Sequence, residues 1–189
     1  EVPVLLATAL KMDIPIVALH LTRPPITIPD RQKLGLPSHF EAAHGAYILR
    51  DYQKEQPRGG TIIVQGTSAV ANIIQLLPEL ERRQLNVKIV CATSAELFAS
   101  QPEHYRTCVL SPSDWIDSTV ITTQARMLMQ PWLHTKIAEE YALSADWDNR
   151  WRTGGSVEDV LDEAHLSPFW ILKGVERFVR ERPQRLARL

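Results

Sequence analysis

Gly66-Thr67-Ser68 stands between an apolar run, Thr61–Val64, and a helix-type pattern. At such a junction backbone amides and the helix dipole are able to hold an anion. Neither G-x-G-x-x-G nor G-x-x-x-x-G-K is present, so the plainer reading is a helix capped by Ser68 or Thr67. Gly154-Gly155-Ser156 repeats the arrangement, with Ser156 as N-cap and Asp159 in the position usually taken by Glu or Gln. Thr67, Ser68 and Ser156 are therefore the candidate contacts for an anion at a helix start.

Other chemistry finds less support. His39 and His44 lie five apart around Glu41, which is not the spacing of H-E-x-x-H. His104, His134 and His165 lack an acidic or cysteine partner at ligand spacing, and His20, at the end of an apolar run, reads as a buried, satisfied imidazole. There is no G-x-S-x-G, and Cys91 and Cys108 carry no local nucleophile signature. No catalytic residue and no metal ligand is nominated. Trp115, Trp132, Trp147, Trp151 and Trp170 lack the interleaved basic residues of a base-stacking platform and read as core and interface anchors.

The elements that must carry these residues follow from pattern. Thr61–Val64, the helix Ser68–Arg83 and a second β-branched run, Val87–Val90, form a βαβ unit whose crossover is expected to be right-handed. Pro78 is expected to kink that helix or to begin a new one. Ser118–Thr123 reads as a third parallel strand, and His44–Tyr52 as an extended segment with Tyr47 and Leu49 on one face and Ile48 and Arg50 on the other. Helices are expected over Val157–Ala164 and from Ser167-Pro168 to about Arg182. Val2–Lys11 reads as a short helix and Ile14–Leu21 as a buried strand, after which Pro24, Pro25 and Pro29 favour an extended connector.

With 189 residues, 44% hydrophobic and 23% charged, the chain has the composition of a soluble globular α/β domain with a segment left over. A formal charge of −1 makes no electrostatic case for nucleic acid or an anionic membrane. No apolar run approaches the roughly 18 residues of a membrane span, no signal peptide is visible, and two cysteines make no disulfide framework. A reducing cytoplasm is the simplest expected setting.

The phrase AELFASQPEHYRTCVL is the most specific in the chain. It resembles the C-terminal domain of transketolases, where a strand runs into ELF-(D/A)-Q-x-x-x-Y-R-x-x-V-L. Glu96, Leu97, Phe98, Gln101, Pro102, Tyr105, Arg106, Val109 and Leu110 match that pattern. IVQGTSAV stands in the place of the family's strand and GSEV, GAYIL of GGYVL, and RTGGS of FGASAP, the last keeping only the small-residue turn and the serine. Thr22-Arg23 matches the family's (S/T)-R-Q, with Pro24 replacing the glutamine.

The resemblance implies a three-layer α/β fold with a mostly parallel sheet flanked by helices. It implies that residues 1–24 end a preceding pyrimidine-binding domain, 25–42 form a linker and 43–189 form the transketolase C-terminal domain. The family moves a two-carbon ketol unit between sugar phosphates with thiamine diphosphate and magnesium, both held by the two preceding domains. The chain carries no G-D-G … N motif, so it is expected to bind neither cofactor alone and to be inactive in isolation. It would support a homodimer and the substrate channel, with the preceding domains as partners and Arg23 gripping the sugar phosphate. A phosphoketolase or a 1-deoxyxylulose-phosphate synthase shares the same three-domain plan. Outside that class, an independent module binding an anion or nucleotide at Gly66 remains an alternative.

Overall fold

Thr61–Gln65 (β2) is apolar almost throughout, and its side chains are buried on both faces of a sheet, as a central parallel strand requires. In the computed structural model, which describes residues 1–21, 25–152 and 154–189, the chain enters through helix α1 (Val2–Ala9). A 3₁₀ turn (His39–His44) then leads into β1 (Ala46–Arg50), ahead of β2. Helix α2 (Thr67–Arg82) crosses to β3 (Lys88–Ala92), which pairs in parallel with β2, Ile62 beside Ile89. Three short helices follow, α3 (Ala95–Ala99), α4 (Glu103–Val109) and α5 (Pro112–Ile116), before β4 (Ser118–Thr122) pairs in parallel on the other side of β2. A 3₁₀ segment (Arg126–Trp132) and α6 (Lys136–Glu140) lead to the two-residue β5 (Leu143–Ser144). Then come α7 (Val157–Glu163), α8 (Pro168–Arg180) and α9 (Arg182–Leu186).

Among the described residues the sheet has five strands in the order β1-β3-β2-β4-β5, of which only β1 is antiparallel. This is the expected mostly parallel three-layer α/β fold. One face packs Tyr47, Ile62, Val64 and Ile89 against Ile73 and Leu80 of α2 and Ile171, Val175 and Phe178 of α8. The opposite face packs Ile63, Val90 and Val120 against Phe98, Val109 and Trp132. The expected alternation in β1 holds as far as Leu49, with Tyr47 and Leu49 in the first core and Ile48 in the second, but Arg50, expected on the Ile48 face, lies past a register slip opposite Ile89. No helix among the described residues is long and apolar enough to cross a membrane.

Four local expectations are corrected. Ile14–Leu21 forms no strand. Its side chains are exposed, Ile16 at 81%, because β1 and β5 bound the sheet and no strand among the described residues lies beside it. His20, in the same segment, is exposed rather than buried. Pro78 begins no new helix but lies inside one continuous α2. The helix expected to be the last, α8, ends at Arg180 and α9 follows it, and Ser167 stands at the N-cap of α8 without a side-chain cap bond, its hydroxyl donating instead to Asp162 Oδ1 at 2.9 Å.

Candidate functional site

The sheet adds β3 on one side of β2 and β4 on the other, so the chain reverses direction across the sheet between β2 and β4. Beyond the carboxyl ends of such neighbouring strands a crevice opens, and open α/β sheets place ligands there. A cavity of about 710 Å³ occupies this position, lined among others by Gly66, Thr67, Ser68, Thr123, Arg152 and Ser156.

Gly66 is what lets the cavity floor close. Its φ of 99° lies in the region that favours glycine, and a β-carbon there would come within 2.2 Å of the Thr123 hydroxyl. Gly66 itself is the N-cap of α2, and no side chain bonds the first-turn amides. The expectation that Thr67 or Ser68 caps the helix is thus corrected: both lie inside the first turn. The positive end of a 16-residue helix faces the cavity without a side-chain acceptor.

Ser156 behaves as expected. Its hydroxyl oxygen accepts from the Asp159 amide at 3.1 Å while its O–H donates to the Asp159 carboxylate at 2.7 Å. That use occupies the hydroxyl in capping. Arg152, read from sequence only as part of a turn, is nearly buried and bound to Asp148 by Nη2 at 2.6 Å and Nη1 at 3.0 Å. Nη2 also donates to the Ala145 carbonyl, leaving Nε buried without an acceptor among the described residues. The hydrogen bonds from Arg152 hold Asp148 well below the usual carboxylate range.

The structure therefore brings Thr67, Ser68 and Ser156 to one cavity, although 88 residues of sequence separate Ser68 from Ser156 (156 − 68). Arg23 lies outside the described residues. Thr123 and Gln124 were not singled out from sequence, and their place at the end of the predicted strand Ser118–Thr123 was the available signal.

Behind the cavity wall, the His165 ring is sandwiched between Trp147 at 4.1 Å and Trp170 at 3.9 Å. Trp132 is a core anchor as expected, whereas Trp151 is 97% exposed. Among the described residues no three His, Cys, Asp or Glu side chains gather as metal ligands. Burial pushes the Cys91 thiol up to about 12, which keeps it un-ionised near neutrality.

The model of the transketolase-like C-terminal domain matches residues 45–145, more than half of the chain. The chain belongs to this family. It resembles transketolase from Leishmania mexicana with a TM-score of 0.54 at 18% identity, covering 77% of this chain and 20% of that one. A Pichia stipitis transketolase solved with xylulose 5-phosphate aligns with a TM-score of 0.53 at 16% identity, over 76% of this chain and 19% of that one. At these identities the likeness is one of fold. The transketolase-like chain spans about one fifth of the length of these enzymes. No curated protein sequence matches it.

Proposed function

We propose that the chain is the C-terminal domain of a thiamine diphosphate-dependent ketol transferase, a rigid module that supports a dimer and the substrate channel and has no catalytic residue of its own. The match to the transketolase-like C-terminal domain over residues 45–145 carries this reading. Residues 1–24 then belong to the end of a pyrimidine-binding domain and 25–42 to a linker. The unpaired apolar segment Ile14–Leu21 supports that division, because its exposed side chains have no place in the sheet of this chain. Arg23 takes the role of phosphate contact, and the enzyme is cytoplasmic and acts on sugar phosphates.

The described residues do not fit the cofactor. A bound magnesium diphosphate calls for clustered oxygen ligands, and no such cluster of side chains is gathered here. The cavity arginine is already committed to Asp148. On this reading thiamine diphosphate and magnesium belong to the preceding domains of the enzyme. The 189-residue chain, supplied with both and with a ketose phosphate and an aldose phosphate, is expected to show no ketol transfer. Turnover by the chain alone would sink the reading.

A second reading rests on the α2 N-terminus, which faces the cavity without a side-chain cap. The module would hold an anion or nucleotide there independently of other domains. Calorimetry of the chain against sugar phosphates and nucleotides separates the two readings, since saturable binding favours the second.

A further inference from the structure

A second concavity, also about 710 Å³, lies at the end of β1 and shares no lining residue with the cavity at Gly66. Its floor is the end of β1, its walls are Ile74, Leu77 and Pro78 of α2 and the turn Leu34–Pro37. That turn is ordered by its own backbone, the Leu36 amide donating to the Arg31 carbonyl at 2.8 Å. At the floor the pairing of β1 with β3 slips: Ile48 faces Val90 and Arg50 faces Ile89, so Leu49 is extra. A bulge of this kind redirects the following side chain.

The redirected side chain is Arg50. Its Nη1 is shielded from water and meets no acceptor among the described residues. Burial is the leading influence on this guanidinium and draws its pKa down, while Glu81 opposes it only through space. Arg50 is half-buried, and it is the Nη1 end that is withdrawn from water without an acceptor; leaving that donor unmet is costly, and a carboxylate ligand would relieve the cost with a charge-assisted bond. Two acidic groups share the rim. Asp51 is exposed and its Oδ1 accepts from the Tyr52 amide at 2.8 Å; Glu81 is exposed and accepts from Gln53 Nε2 at 3.5 Å. Water screens both far better than it screens Arg50. Their presence disfavours a phosphate dianion more than it disfavours a monoanion held directly on Arg50.

We propose that the concavity between β1, α2 and the Leu34–Pro37 turn binds a small monocarboxylate with an apolar tail, its carboxylate on Arg50 and its tail against Leu36, Ile74 and Leu77. Apolar walls with a few placed polar groups are the chemistry of small-molecule sites. The probe is sodium octanoate, kept below its micelle-forming concentration and titrated into the 189-residue chain by amide NMR. Shifts are expected at residues 34–37, 48–51 and 74–81, and Arg50→Gln is expected to weaken binding about tenfold. Leu36→Asp, which leaves Arg50 in place but sets a charge in the tail wall, is expected to abolish it. Octanoate binding unchanged in either variant would overturn the proposal. So would equal binding of octylammonium or of inorganic phosphate, or an absence of shifts at these residues.

Discussion

Arg185 and Asp117, 68 residues apart, form a buried ion pair that locks the C-terminal helix onto the amino-terminal edge of the sheet. The Arg185 guanidinium also donates to the carbonyls of Gly59 and Phe178, both at 3.1 Å, and lies 3.5 Å from the centre of the Phe178 ring. At 1% exposure it is the most deeply buried arginine of the described residues. Arg185→Ala leaves Asp117 buried with only Arg182 to pair it. Removing one partner of a buried pair costs about 3–5 kcal/mol, and the Arg182 contact places the loss toward the lower figure. Urea unfolding of the two proteins measures it, and a loss under about 1 kcal/mol would remove the lock from the account.

At the same edge Lys88 and Asp114 form a second buried pair, Nζ to Oδ2 at 3.0 Å, and Thr61 donates to Asp114 Oδ1 at 2.9 Å. Burial alone would raise the Asp114 pKa, but hydrogen bonds from Ser111 and Lys88 outweigh it and hold the carboxyl below its ordinary value. A depressed folded-state pKa contributes stability above the unfolded value of about 3.9 and loses it as pH falls through the folded value. The melting temperature is therefore expected to fall below about pH 4, and Asp114→Asn to flatten that acid limb. The same variant also loses several kcal/mol near pH 7, because Lys88 remains buried without its counter-charge. An acid limb of unchanged steepness in the variant would show that other carboxylates carry it.

Much of this architecture was legible for a physical reason. Parallel strands buried on both faces read as unbroken apolar runs, so Thr61–Val64, Val87–Val90 and Ser118–Thr123 fell close to β2, β3 and β4. Ser156 and Asp159 were legible because a cap is a local contact, made within one turn. Ile14–Leu21 misled because an apolar run records only propensity, and a strand exists only where another strand receives its hydrogen bonds. Arg185 could not be found at all: it sits among Arg177, Arg180, Arg182 and Arg188, and only the fold decides which of these meets Asp117. The cavity at Gly66 was half legible, since the turn was visible but its partners, Thr123 and Arg152, come from distant sequence.

Gly66 offers a test of how the cavity floor is held. In Gly66→Ala the backbone is strained at φ 99° and the new methyl meets the Thr123 hydroxyl at 2.2 Å. The expected loss is about 2–4 kcal/mol, of which about 1–3 is the backbone conformation. Thr123→Ala removes the obstacle but not the strain. The double variant should recover part of the loss in a thermal-unfolding cycle, so the two substitutions are non-additive. Strict additivity would mean that Thr123 is not what the methyl meets.

His165 combines a positive φ of 57° with stacking on Trp147 and Trp170. The two contributions separate by substitution. Asn tolerates the left-handed region, so His165→Asn loses only the stacking, about 1–3 kcal/mol for two aromatic contacts. His165→Ala is expected to lose roughly 1 kcal/mol more through the backbone. Tryptophan fluorescence should shift in both, since both free the same indoles, while chemical denaturation ranks Ala below Asn. Equal stabilities would assign the whole effect to the ring.

On the proposed reading, Arg23 acts within a complete ketol transferase. If Arg23 grips the phosphate of the sugar, its bidentate guanidinium contributes binding that a substrate without phosphate never receives. Arg23→Ala should then raise KM for phosphorylated ketoses by about tenfold to a hundredfold, in line with a charged hydrogen bond of roughly 1.5–3 kcal/mol. Non-phosphorylated substrates should keep their kcat/KM. Arg23→Lys should recover part of the loss, because a point charge attracts the phosphate but does not match its geometry. A substitution that only disturbed the junction between domains would depress both substrate classes alike, and that pattern would take Arg23 out of the phosphate site.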